Sequence, residues 1–104
     1  MKNHLKLPGK NSYDPVYGRR LYSRAILKEF RNCREILNEM EMDNSGKKFF
    51  TANLIKIRFK TFCKKLMDEF RARYKSSNDN RHLNDKIMEK ITELDTIIAI
   101  KIML

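Results

Sequence analysis

Apolar residues in the middle of this 104-residue chain return every three or four positions, and no other feature constrains its fold as much. Ile55, Phe59, Phe62, Leu66, Phe70 and Tyr74 follow one another at steps of four, three, four, four and four, which places them on one face of a helix. Two further segments repeat the pattern. Tyr22, Ile26, Phe30, Cys33, Leu37 and Met40 form one stripe, and Leu83, Ile87, Ile91, Leu94 and Ile98 another. With only three Gly and two Pro, both Pro before residue 16, the chain lacks the turn residues of a many-stranded β fold. A helix with one apolar stripe must bury it against other elements. Three such helices joined by short connections therefore predict an all-α fold, an antiparallel three-helix bundle with a single modest core.

The connections set the expected boundaries. Pro8-Gly9, Asn11-Ser12, Asp14-Pro15 and Gly18 punctuate residues 1–18, which read as an irregular N-terminal arm ahead of a helical domain spanning 19–104. The first helix is expected over about 19–42, fraying toward Asp43 because Glu35, Glu39 and Glu41 oppose its dipole. Asp43-Asn44-Ser45-Gly46 is a turn signal. The second helix is expected over about 50–74, with Ser45 or Thr51 as its cap. The third is expected over about 81–100, capped by Asp79 or Asn80. Periodicity alone leaves Ile97 to Leu104 as either an edge strand or a buried helix end; with no other strand in the chain to pair with, helix is the expected state.

Charge is distributed unevenly. The formal net charge is +10. Residues 44–78 hold ten basic and two acidic groups, so this third alone carries +8. Between Asn44 and Met67 stand Lys47, Lys48, Lys56, Arg58, Lys60, Lys64 and Lys65, with no Asp or Glu among them. A surplus confined to one amphipathic helix reads as a contact surface for something acidic; the plainer reading is a solvated helix face. No apolar run reaches the length of a membrane span. Lys2, Lys6 and Lys10, with no acid before Asp14, are compatible with an organelle-import signal.

Residues with the spacing of an active site are missing. His4 and His82 have no neighbour at metal-ligand spacing, and no glycine-rich phosphate loop or nucleophile elbow occurs. The chain therefore reads as non-enzymatic, with no metal and no cofactor of its own. Cys33 and Cys63 fall on facing stripes, where small buried thiols are favoured over a disulfide. Phe59, Phe62 and Phe70 belong to the core stripe. Phe49 and Phe50 alone are free for another role, base stacking among them.

The first helix opens Arg19-Arg20-Leu21-Tyr22-Ser23-Arg24-Ala25-Ile26-Leu27-Lys28, and the second closes Lys64-Lys65-Leu66-Met67-Asp68-Glu69-Phe70-Arg71. Over residues 19 to 100 this resembles the LYR-motif, or complex I LYR, family of small basic mitochondrial proteins. That family's first helix opens Leu-Tyr-Arg, and its second ends on Phe followed by Arg. The chain departs from the motif at Ser23, which takes the Arg position, so that Arg24 comes one residue late. One residue turns a helix side chain by about 100°. The interval from Tyr22 to Phe70 is also longer than the family's. The resemblance implies a mitochondrial matrix adaptor that binds an acidic acyl carrier protein and supports a larger mitochondrial assembly. The carrier's acyl-phosphopantetheine chain would enter the helical bundle. Tyr22, Arg24 and Phe70 would belong to the motif, while Lys60, Lys64 and Lys65 would face the partner. Two alternatives stand beside it: a ribosome-associated protein gripping RNA through the same basic face, and a purely structural subunit of a large complex.

Overall fold

Helix α1 spans Pro15–Glu39, α2 Gly46–Arg73 and α3 Ser77–Met103. The computed structural model describes residues 14–40, 46–75 and 77–103, apart from the side chains of residues 46–48 and 77. Among the described residues no strand occurs, and each helix packs on both others. The fold is an all-α three-helix bundle. Cross-links fix its directions: α2 runs antiparallel to α1, since Tyr22 meets Glu69 and Glu29 meets Arg58. Helix α3 runs parallel to α1, since Arg19 meets Asp79 at one end and Lys101 reaches the carbonyl of Asn38 at the other.

The three stripes meet as expected. Tyr22, Ile26, Phe30, Cys33 and Leu37 of α1 are buried against Ile55, Phe59, Cys63, Leu66 and Phe70 of α2 and Leu83, Ile87, Leu94 and Ile98 of α3. Met40, Phe62 and Ile91 are only partly buried. Rings interlock along the α1–α2 seam: Tyr22 on Phe70 at 5.3 Å and Phe30 on Phe59 at 6.1 Å, both edge to face. The Phe30 ring also carries the ammonium of Lys90 at 4.9 Å and the guanidinium of Arg34 at 5.5 Å.

The helix ends differ from expectation. Helix α1 begins four residues early, so residues 15–18 belong to the bundle and not to an irregular arm. Asp14 is its N-cap, accepting a hydrogen bond from the backbone N–H of Val16 at 3.0 Å, and Pro15 takes the first helical position, where its missing N–H costs nothing. The helix ends at Glu39, short of residue 42, with no basic side chain in its last turn to offset the dipole. The Asp43–Ser45 part of the expected turn and the Ser45 cap lie outside the described residues. Gly46 already opens α2, which places Thr51 inside the helix instead of at its cap. Helix α3 starts at Ser77, so Asp79 sits in the first turn, buried and paired with Arg19 at 3.0 Å. The Ile-rich tail is helical through Met103, but only Ile98 there is buried; Ile100, Ile102 and Met103 are exposed.

At Gly18 α1 closely approaches Tyr74, the residue that follows α2. A Cβ at residue 18 would lie 2.4 Å from the ring of Tyr74. That ring cannot swing away freely, because it is buried and packed at a tilt against Phe70, with ring centroids 4.8 Å apart. Gly18→Ala should therefore destabilise the fold by about 1–3 kcal/mol through overpacking, lowering the melting temperature by about 4–8 °C for each kcal/mol. In a Tyr74→Ala background the same substitution should cost little. A thermal double-mutant cycle checks the coupling.

Candidate partner-binding face

Helix α2 separates two kinds of surface. Its inner face holds Ala52, Ile55, Phe59, Cys63, Leu66, Met67 and Phe70 in the core. On the outer face Arg58, Lys60, Lys64, Lys65 and Arg71 are exposed. Some of these cations meet the protein's own acids. Arg58 bonds Glu29 of α1 at 2.9 Å, and Lys56, toward α3, bonds Asp95 at 2.5 Å. Asp68 accepts from both Arg71 at 2.7 Å and Lys64 at 3.4 Å, which holds its carboxyl below the usual carboxylate range. Among the described residues Lys60 and Lys65 form no ion pair. The Lys64–Asp68 pair is well exposed, and such pairs are weak and screened by salt. The face therefore remains a net positive surface.

Of the residues anticipated for partner binding, Lys60, Lys64 and Lys65 share this outer surface. Tyr22 and Phe70 come together, but inside the core, where each is 0% exposed. The Tyr22 hydroxyl donates to the carboxylate of Glu69 at 2.5 Å, and Arg73 approaches the same oxygen at 3.8 Å. Burial, and then the neighbouring Glu69, push the Tyr22 hydroxyl pKa well above its ordinary value. Arg24 does not join this cluster. Two residues beyond Tyr22, it is turned away from the core into solvent. The guanidinium beside the Tyr22–Glu69 pair is Arg73. Neither Glu69 nor Arg73 was singled out from sequence, since only the docking angle of α1 on α2 reveals that Glu69 faces Tyr22.

Two recesses border the outer face. Between α1 and α2 an open groove of about 520 Å³ is lined by Glu29, Arg58, Thr61, Phe62, Lys65 and Leu66. Between α2 and α3 a shallower cleft of about 220 Å³ runs past Lys60, Lys64, Arg71 and Asn84. Among the described residues no group of His, Cys, Asp and Glu is arranged to hold a metal ion, and no helix is long and apolar enough to cross a membrane. No family model, curated protein or solved structure matches this chain.

Both cysteines are free and buried. Burial first, and then the charge of Glu29, raise their pKa from 9.0, to about 11 for Cys33 and about 12 for Cys63. The folded chain thus keeps two protons that the unfolded chain releases near pH 9. Their contribution to stability is complete below pH 9 and is lost as pH rises through the folded values. Denaturant titrations should show stability falling progressively above pH 9. At pH 8 a thiol reagent should label neither cysteine until the chain unfolds.

Proposed function

We propose that this protein is a non-enzymatic, LYR-like adaptor that binds an acidic acyl carrier protein through Lys60, Lys64 and Lys65 and supports the assembly or stability of a mitochondrial complex. The observation that carries this reading is the isolation of a cationic surface on the outer side of one helix whose inner side is committed to the core. Opposed fields of this kind speed encounter and fix orientation. The groove between α1 and α2 adds support. Its volume lies within the usual range for ligand sites. Phe62 and Leu66 offer an apolar wall, at about 0.8 kcal/mol for each methylene covered. Arg58 and Lys65 stand at its rim, where the phosphate of a phosphopantetheine arm would need cations. In this scheme Tyr22 and Phe70 act from within, holding α1 and α2 in register beneath the contact surface. Arg24 lies off that surface and contributes little to carrier binding.

Co-purification from cells that supply native partners tests the proposal, with intact-complex mass spectrometry as the readout. A one-to-one complex with an acylated carrier protein is expected. Reversing Lys60, Lys64 and Lys65 to Glu should weaken carrier binding at least about tenfold and flatten its salt dependence. Arg24→Ala should leave it nearly unchanged. If the reversed protein binds the carrier as before, the basic face is not the contact. If RNA binding falls instead, with a steep salt dependence in the parent protein, the phosphate-gripping alternative replaces it.

A further inference from the structure

Helix α2 carries a second apolar stripe, on the side opposite the core. Phe50, Leu54 and Ile57 succeed one another at steps of four and three, and stand 64%, 48% and 55% exposed. Single exposed apolar residues are ordinary on protein surfaces; three in line on one helix face form a continuous patch. Thr61 continues the line by one more step of four and brings it into the cationic half of the helix. There Arg58 and Lys65 flank it on the α1 side, where both border the groove with Glu29. Lys60 and Lys64 flank it on the α3 side, bordering the cleft with Asn84. From Phe50 to Thr61 the stripe rises about 16 Å, or three helical turns.

We infer that this outer stripe seats an acidic amphipathic helix, whose apolar side covers Phe50, Leu54 and Ile57 while its carboxylates reach Arg58, Lys60, Lys64 and Lys65. The inference rests on the proposed reading of the basic face as a protein-docking surface and supplies the chemistry of its occupant. Steps of four and three are those by which one helix reads another. Charge selects among the occupants. A second copy of this chain would bring two strongly positive segments face to face, which like-charge repulsion opposes. A bilayer-binding helix has cations flanking its apolar face along the whole length; here the cations among the described residues gather toward one end of the stripe. Nucleic acid needs the cations and can stack a base on Phe50, but has no use for Leu54 and Ile57. An acidic helix uses both the cations and the stripe.

The full chain can be titrated with a synthetic helix of about 18 residues bearing a Leu stripe flanked by Glu, and with the same peptide carrying Lys in place of Glu. Phosphatidylcholine vesicles containing phosphatidylserine, and a single-stranded RNA, complete the set. Two variants are compared: Phe50→Ser/Leu54→Ser/Ile57→Ser and Lys60→Glu/Lys64→Glu/Lys65→Glu. The stripe substitutions lie outside the core, so helicity and melting temperature should be retained. Selective binding of the Glu peptide is expected, weakened about 30-fold or more in the stripe variant. Unchanged affinity in the stripe variant, with a loss in the charge variant, overturns the stripe while leaving the basic-face reading standing. Unchanged affinity in both removes both. Stripe-dependent binding to vesicles without peptide binding, or a stripe-dependent dimer in sedimentation, assigns the patch to a bilayer or to a second copy and equally overturns the inference.

Discussion

The edge-to-face contact between Tyr22 and Phe70 sets the register on which the rest of the bundle depends. It lies where α1 begins and α2 ends, 47 positions apart for the Tyr22–Glu69 hydrogen bond beside it, and both rings are fully enclosed. A ring pair of this kind contributes about 0.5–1.5 kcal/mol beyond its area. Its larger effect is geometric. With Tyr22 bonded to Glu69, and Gly18 admitting the Tyr74 ring, α1 can slide neither up nor down on α2 without losing a hydrogen bond or meeting an aromatic ring. The same register aligns Glu29 with Arg58 and Phe30 with Phe59. Arg19 and Asp79 then tie in the start of α3, through an acid largely withdrawn from water.

That arrangement leaves α2 with an electrostatic surplus the fold does not need. A bundle seeking stability alone would intersperse acids among its lysines, since i,i+4 pairs each add a few tenths of a kcal/mol. Helix α2 has Asp68 and Glu69 as its acids, and Glu69 is turned inward to Tyr22. Asp68 therefore answers alone, within the helix, for an outer face that includes Lys60, Lys64, Lys65 and Arg71. The self-repulsion this leaves behind is small at physiological salt, where exposed charges are screened over about 8 Å. It is tolerated energetically.

The stripes were legible because a closed bundle enforces one period over every helix. Tyr22, Phe30, Leu37, Phe59, Leu66, Leu83 and Leu94 are all buried. The ends were less legible because local signals there have two meanings. Asp14-Pro15 reads as a turn when Gly18 follows closely, yet Asp before Pro is also a cap followed by a first helical residue. What decides between them is the Tyr74 ring, which makes Gly18 a contact position instead of a breaker. Asp79 looked like a cap for the same reason: its pairing with Arg19, sixty positions away, is invisible along the chain. The surface lysines of the candidate site were readable from composition. The burial of Tyr22 and Phe70, the outward turn of Arg24 and the role of Glu69 were not, since each depends on the angle at which α1 docks. The outer stripe was hidden by its own neighbour: Phe50, Leu54 and Ile57 interleave with Ala52, Ile55 and Phe59, and the two faces partly cancel in any single amphipathic pattern.

The two ends of the bundle consequently differ in what they offer. Where α1 starts and α2 ends, the aromatic cluster and the Arg19–Asp79 pair close the structure. Where α2 starts and α3 ends, Phe49, Phe50, Ile100, Ile102 and Met103 remain in water. The groove between α1 and α2 sits between these extremes, and its rim carries the Arg58–Glu29 bond, whose carboxylate is nearly covered and also touches Cys33. Widening the groove means parting that bond and leaving Glu29 beside two buried thiols. An incoming anion that takes over Arg58 would remove the guanidinium that balances this carboxylate. Under the proposed reading, ligand entry would therefore be coupled to the separation of α1 from α2 through one ion pair at the edge of the basic face.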